Sequence, residues 1–195
     1  MSPRDQLNFA IAADFAAIGA GRWRWRYRYT KPVLRYQRER RRAEHWLGQK
    51  GTLGRLYGRF LRLRCYRLGL HLGLEIPLGV AGPGFNIAHA PGIVINPDVR
   101  IGKNCRIHQN VTIGQGRNGS PVLGDNVWLG AGAVVVGGIQ VGDNVAIGAN
   151  AVVTKDVPPH TTVAGNPARV ISQEGSGPWI HDGVGVVLES RRRLS

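Results

Sequence analysis

The run "INPDVRIGKNCRIHQNVTIGQG" at residues 95–116 divides into sixes, each opening on isoleucine. After "RNGSPV" at 117–122 the beat resumes, and "LGDNVW", "LGAGAV", "VVGGIQ", "VGDNVA", "IGANAV" and "VTKDVP" carry it to residue 158. Ile95, Ile101, Ile107, Ile113, Leu123, Leu129, Val135, Val141, Ile147 and Val153 hold the first place, and all are aliphatic. The fifth place is small or β-branched, from Val99 and Cys105 to Ala151 and Val157, while Gly, Asn and Asp crowd places two to four. A six-residue step lands on opposite faces of a 3.6-residue helical turn, and this Gly, Asn and Asp load disfavours helix. Short strands joined by tight turns satisfy the pattern, with first positions inward and fifth positions in the corners of a parallel β-helix. At three hexapeptides per coil, residues 76–171 make about five coils, a prism roughly 25 Å long at a strand spacing of about 4.7 Å. The ten residues from Ile113 to Leu123 exceed the period by four. A loop holding Gly116, Asn118 and Gly119 must bulge there, and insertions in such repeats gather on one face, often the binding face.

Outside the repeat, charge is distributed unevenly. The chain has 195 residues and a formal charge of +14. Residues 22–67 carry 16 Lys and Arg against Glu39 and Glu44, which is 16 − 2 = +14, so the remainder is neutral. The length fits one compact unit with an appendage. We divide it into a basic helical segment at 1–72, the β-helix at 73–171 and a tail at 172–195. Only Cys65 and Cys105 are present, which argues against a disulfide framework or thiolate metal site and fits a reducing cytoplasm. The N-terminus lacks a basic leader, and no run of 18 consistently apolar residues exists. The expected location is cytoplasmic, with a peripheral position at the inner face of the membrane open to it.

The segments "LEIPLG" at 74–79, "AHAPGIVI" at 88–95, "VTIGQG" at 111–116 and "GANAVVTKDVPPHTTVAGNPARVI" at 148–171 resemble the hexapeptide-repeat acyltransferases. Serine acetyltransferase and its relatives in surface-polysaccharide gene sets are the most similar. That resemblance implies an all-β, left-handed parallel β-helix preceded by a small α-helical segment, a homotrimer, and acetyl-CoA as co-substrate with no metal. It makes His89 the general base, Glu75 the acid that steadies it, and His108 either a helper or plain surface. An alcohol is a poor nucleophile at neutral pH, so an imidazole must take its proton during attack on the thioester, an assistance worth about 10²–10⁴ in rate. A carboxylate on the other ring nitrogen would fix the tautomer. The same resemblance assigns Gly114, Ala131, Gly132 and Ala149 to the groove for the pantetheine arm, and Lys155 and Arg169 to its nucleotide end. Glycines at tight corners have a structural reason of their own.

The departures bear on the acceptor. Serine acetyltransferases place an acidic residue before the catalytic histidine and an Arg-His pair in the loop, where this chain has Ala88 and "GRNGSPVLG" with Gly119 and Ser120. A zwitterion would lose its charge partners and be costly to desolvate. The expected acceptor is therefore an uncharged hydroxyl on a saccharide of a surface or capsular polysaccharide, with L-serine, as in cysteine biosynthesis, the alternative.

Toward the N-terminus, Ser2 and Pro3 start a helix that stops at Gly19 to Gly21, and a second is expected at 33–47. A third carries Leu53, Leu56, Tyr57 and Phe60 at helical spacing among Arg55, Arg59 and Arg62. Residues 22–67 either cap the prism or meet an anionic membrane surface. "RWRWRYRYTK" alternates arginine with aromatics as single-strand platforms do, but no nucleic-acid fold accompanies it, and none is expected as a partner. The sequence leaves the prism at 172–178, and "WIHDGVGVVLES" is read as a short strand. A zinc carbonic anhydrase would need three histidines around the metal, a spacing absent here. A non-catalytic scaffold gives no reason for an acid and a base near one coil apart.

Overall fold

The computed structural model describes residues 1–21, 23–27 and 31–193. Its centre is the expected three-sided coil. Face A holds β1 (Leu74–Glu75), β3 (Ile93–Ile95), β6 (Thr112–Gly114), β9 (Val134–Val136) and β12 (Val152–Val153). Face B holds β4 (Arg100–Ile101), β7 (Val122–Leu123) and β10 (Gln140–Val141). Face C holds β2 (Asn86–Ile87), β5 (Arg106–Ile107), β8 (Trp128–Leu129), β11 (Ala146–Ile147) and β13 (Thr162–Gly165), with β14 (Ala168–Ser172) beyond. All pair in parallel except β14, which returns antiparallel with Arg169 opposite Ala164. The repeat expected to run to 171 thus closes in a hairpin at Asn166 and Pro167, neither of which offers the chain an aliphatic for the next inward slot.

Every first-place aliphatic from Ile95 to Val153 is buried, none more than 6% exposed, and so are the fifth-place residues from Val99 to Val157. Val134 lies opposite Val152, eighteen residues on, whereas Thr112 lies opposite Val134, twenty-two on. The difference is the four-residue insertion. Its loop turns back at Gly116, whose N–H donates to the Gly119 carbonyl at 2.8 Å, and the Asn118 side chain accepts from the Gly138 N–H at 3.0 Å. The bulge therefore lies against the next coil and does not project freely.

Helices α1 (Pro3–Ala17), α2 (Pro32–Leu47) and α3 (Thr52–Leu72) precede the prism. The Ser2 hydroxyl accepts from the Asp5 N–H while the Asp5 carboxylate accepts from the Ser2 N–H, a capping box with Pro3 in the first turn. Together these helices close the first coil. Tyr36 donates its hydroxyl to the Ile76 carbonyl at 3.3 Å, Gln37 its amide to Phe85, Asn86 its amide to Ala17 at 2.6 Å, and Glu44 accepts from the Gly79 N–H at 2.9 Å. These bonds cover backbone groups that the end of a solenoid would otherwise expose.

The basic segment does not act as one surface. On α2, Arg41 is 6% exposed, meets Asp14 at 2.8 and 3.0 Å and donates to the Ala81 carbonyl at 2.8 Å, while Arg40 is buried over Phe85 and bonded to Glu44 at 3.1 Å. Trp23, from the alternating Arg-aromatic stretch, packs on Phe15 with Arg38 over its ring at 4.7 Å. Arg22 and residues 28–30 of that stretch lie outside the described residues. The tail also differs from expectation. Residues 175–179 lie along face C, with the Ser176 hydroxyl donating to the Asn126 carbonyl and Arg106 donating to Trp179 at 3.0 Å. The anticipated strand is helix α4 (Gly183–Arg192), capped by Asp182, which accepts from the Gly185 N–H at 2.7 Å; its Gly183 lies against Ala13 and Ala17 of α1.

Candidate active site

The chain turns from face C to face A once per coil, and the positions that matter stack along that edge. Ladder bonds fix the order: Ala88 N–H to Ile107, His108 N–H to Leu129, Gly130 N–H to Ile147, Gly132 N–H to Gln109 and Asn150 N–H to Ala131. His89 therefore stands above the turn of His108 and Gln109, then that of Gly130 to Gly132, then that of Gly148 to Asn150. Three coil steps of about 4.8 Å place Ala149 roughly 14 Å below His89.

His89 is exposed. Its turn is longer than those below it, because Ile87 pairs with Ile107 and Val94 with Thr112, seven steps against five. Extending the hexapeptide frame back from Ile95 would have placed His89 itself in an inward slot. The two extra residues give that slot to Ile87, which is buried, and move the imidazole out.

His89 and His108 come together, with ring centroids 5.7 Å apart. The column continues through Trp128, edge-on to His108 at 5.4 Å, and Trp179 of the tail, stacked on Trp128 at 5.2 Å. Neither tryptophan was among the expected residues. Trp128 was legible as a sixth-position neighbour of Arg106, since both point outward from face C; nothing in the sequence pairs it with Trp179. Nε2 of His108 and Oε1 of Gln109 are enclosed without a hydrogen-bond partner among the described residues. Burial, then Arg106 and His89, pull the His108 pKa below its ordinary value, which favours its neutral form at pH 7.

Glu75 does not join them. Among the described residues no hydrogen bond or ion pair links it to His89. It lies opposite Val94 on the outer row of face A and lines a cavity under α3. One coil here takes 93 − 74 = 19 residues, from Leu74 to Ile93, so the position one coil before His89 is Leu70 of α3. A spacing of fourteen falls a face short. The thiols offer no alternative nucleophile: burial raises both, Cys65 to about 12.

The small residues differ in why they are small. Gly132 has φ 71, and a Cβ there would strike the Asn150 side chain, so the corner itself demands glycine. At Gly114 a Cβ would meet only Val136 Cγ2 at 3.7 Å, an ordinary contact. Packing does not require glycine at 114, and its absent side chain keeps the end of β6 open. Lys155 and Arg169 line one cavity of about 290 Å³ at the last coil, with Thr154 and Ala168. Among the described residues, no group of three His, Cys, Asp or Glu could hold a metal ion.

Comparison with known proteins gives the following. Residues 120–155 match the family model described as bacterial transferase hexapeptide (six repeats). The serine acetyltransferase of Mycobacterium tuberculosis is 39% identical over 162 residues, covering 76% of this chain and 68% of that protein. Among solved structures, serine acetyltransferase from Brucella abortus in complex with coenzyme A superposes with a TM-score of 0.64 at 30% identity, over 88% of this chain and 68% of that one. Soybean serine acetyltransferase complexed with serine gives a TM-score of 0.66 at 28% identity, over 87% of this chain and 70% of that one. Against other bacterial relatives, the chain spans about half their length.

Proposed function

Since the chain belongs to the serine acetyltransferase family of hexapeptide-repeat acyltransferases, we propose that it transfers an acetyl group from acetyl-CoA to an alcohol, with L-serine as acceptor. The observation that carries the chemistry is an exposed imidazole, His89, at the head of an edge whose lower turns are glycine and alanine. A thin pantetheine arm lies along Ala131, Gly132 and Ala149, with Gly114 beside it, and the phosphates meet Lys155 and Arg169. The acceptor hydroxyl gives its proton to His89 as its oxygen attacks the thioester carbonyl. The C–S bond then breaks, and CoA leaves as the thiol after taking a proton back from the imidazolium. Glu75 has no part in this within one chain. His108, held neutral, faces the acceptor as a hydrogen-bond partner. The relatives named serine acetyltransferase, and the neighbour solved with serine, support the amino acid as acceptor.

A specific observation favours a second acceptor class. Ala88 beside His89 and Gly119 and Ser120 in the loop carry no charge for a zwitterion. A saccharide hydroxyl has no such need.

Assembly bears on the choice. The outer row of face A is Glu75, Val94, Thr112, Val134 and Val152, the largely apolar face of a homotrimer. A neighbouring copy seated there brings its loop 115–121, with the exposed Arg117, toward the His89 edge and supplies a cation for a serine carboxylate. The test is CoA release from acetyl-CoA with L-serine, nucleotide sugars and polysaccharide fragments in parallel. Release with serine, lowered 10²–10⁴-fold in His89→Ala, is the expected result. Release with sugars alone selects the second acceptor, and release indifferent to His89→Ala removes the mechanism.

A further inference from the structure

Helix α3 carries two apolar stripes, and the protein uses one. Gly58, Leu61, Cys65 and Gly69 recur at helical spacing and are buried. Leu53, Leu56, Phe60, Leu63 and Leu70 form a second stripe, 83%, 61%, 53%, 49% and 63% exposed. A helix held in place by its first stripe gains nothing inside the fold from a second.

The charges around the second stripe say what covers it. From Thr52 to Leu72 the helix has five arginines and no acidic residue. Arg64 is engaged by Glu39 at 3.7 Å. Arg55, Arg59, Arg62 and Arg67 are exposed, and among the described residues no ion pair reaches them. Two copies meeting through this face would set arginine against arginine, which argues against self-association. An apolar stripe whose charged neighbours on its own helix are all arginines is complementary to an interface of hydrocarbon below anionic headgroups. No helix among the described residues is long and apolar enough to cross a membrane, so the contact is one of surface.

We infer that α3 seats this protein on an anionic bilayer surface, with its second apolar stripe in the headgroup boundary. Arg40 and Arg41 of α2 take no part, being buried within the fold.

The test is flotation of the full chain with phosphatidylcholine vesicles, and with vesicles containing 30% phosphatidylglycerol, at moderate salt. The expected result is flotation with the anionic vesicles only. Each of Arg55→Gln, Arg59→Gln and Arg62→Gln should weaken it roughly fivefold, and Leu56→Glu with Phe60→Glu should abolish it. Because these side chains are exposed, the variants should keep the parent circular dichroism and assembly mass, which separates lost docking from lost fold. Soluble inorganic phosphate at the same charge concentration should compete weakly; complete displacement by phosphate would identify a simple anion site and overturn the proposal. Equal flotation with both vesicles, flotation with neither, or a variant-sensitive change of assembly mass without lipid would overturn it too, the last in favour of a protein partner.

Discussion

At the residue scale, the two edge imidazoles stand in different surroundings. His89 is exposed, whereas His108 is partly enclosed beside Arg106 and Trp128. A histidine whose folded pKa is lowered binds its proton more readily in the unfolded chain, so stability is lost as pH falls below the ordinary value of 6.5. Urea midpoints at pH 7.5 and 5.5 check this: the parent should lose more stability on acidification than His108→Gln, which has no proton to take up. If His108 meets the acceptor, His108→Gln should also raise KM for the acceptor and leave that for acetyl-CoA unchanged. His108 was visible in the sequence as an outward second position, but its neighbours were not, since Trp128 arrives from the next coil and Trp179 from the tail. The Glu75 pairing failed for a related reason: a spacing of fourteen suggests adjacency only if the coil length is known, and the first coil is irregular.

At the element scale, α2 holds the end of the prism by a buried ion pair, not by apolar contact alone. Arg41 and Asp14 join two helices, and Arg41 also reaches the carbonyls of Ala81 and Gly82. Breaking a buried pair leaves an uncompensated charge, at a cost of about 3–5 kcal/mol. Arg41→Leu should therefore lower the unfolding free energy by about that amount in urea, and adding Asp14→Leu should restore part of it, because the stranded carboxylate is then gone. Equal stability of parent and Arg41→Leu would refute the reading. The helix positions themselves were legible, since Ser2, Pro3 and Pro32 start α1 and α2 and glycines follow α2 and α3. The tail was not, because a run such as "GVGVVL" suits a strand or a helix. Asp182 as N-cap and the packing of Gly183 on α1 make it a helix.

For the whole molecule, the outer valines of face A bear on the proposed trimer. Val94 is 42% exposed, with Val134 and Val152 on the same outer row. If the proposed trimer forms through this row, Val134→Glu should give monomers by light scattering and abolish CoA release together, because the acceptor side of the site would then lack the neighbour's loop. A monomeric variant of full activity would confine the site to one chain.

The sequence alone determined the prism: a period of six with an aliphatic in every inward slot admits no other packing, and an insertion of four is readable as soon as the beat breaks. It also marked His89, through a segment that resembles a known family. Tertiary structure decided what stands beside that histidine, which arginines remain outside, and where the tail lies. The reason is physical. Inward positions answer to their own repeat, which is local information, whereas an edge, a buried ion pair or an uncovered stripe exists only where segments far apart in the chain are brought against one another.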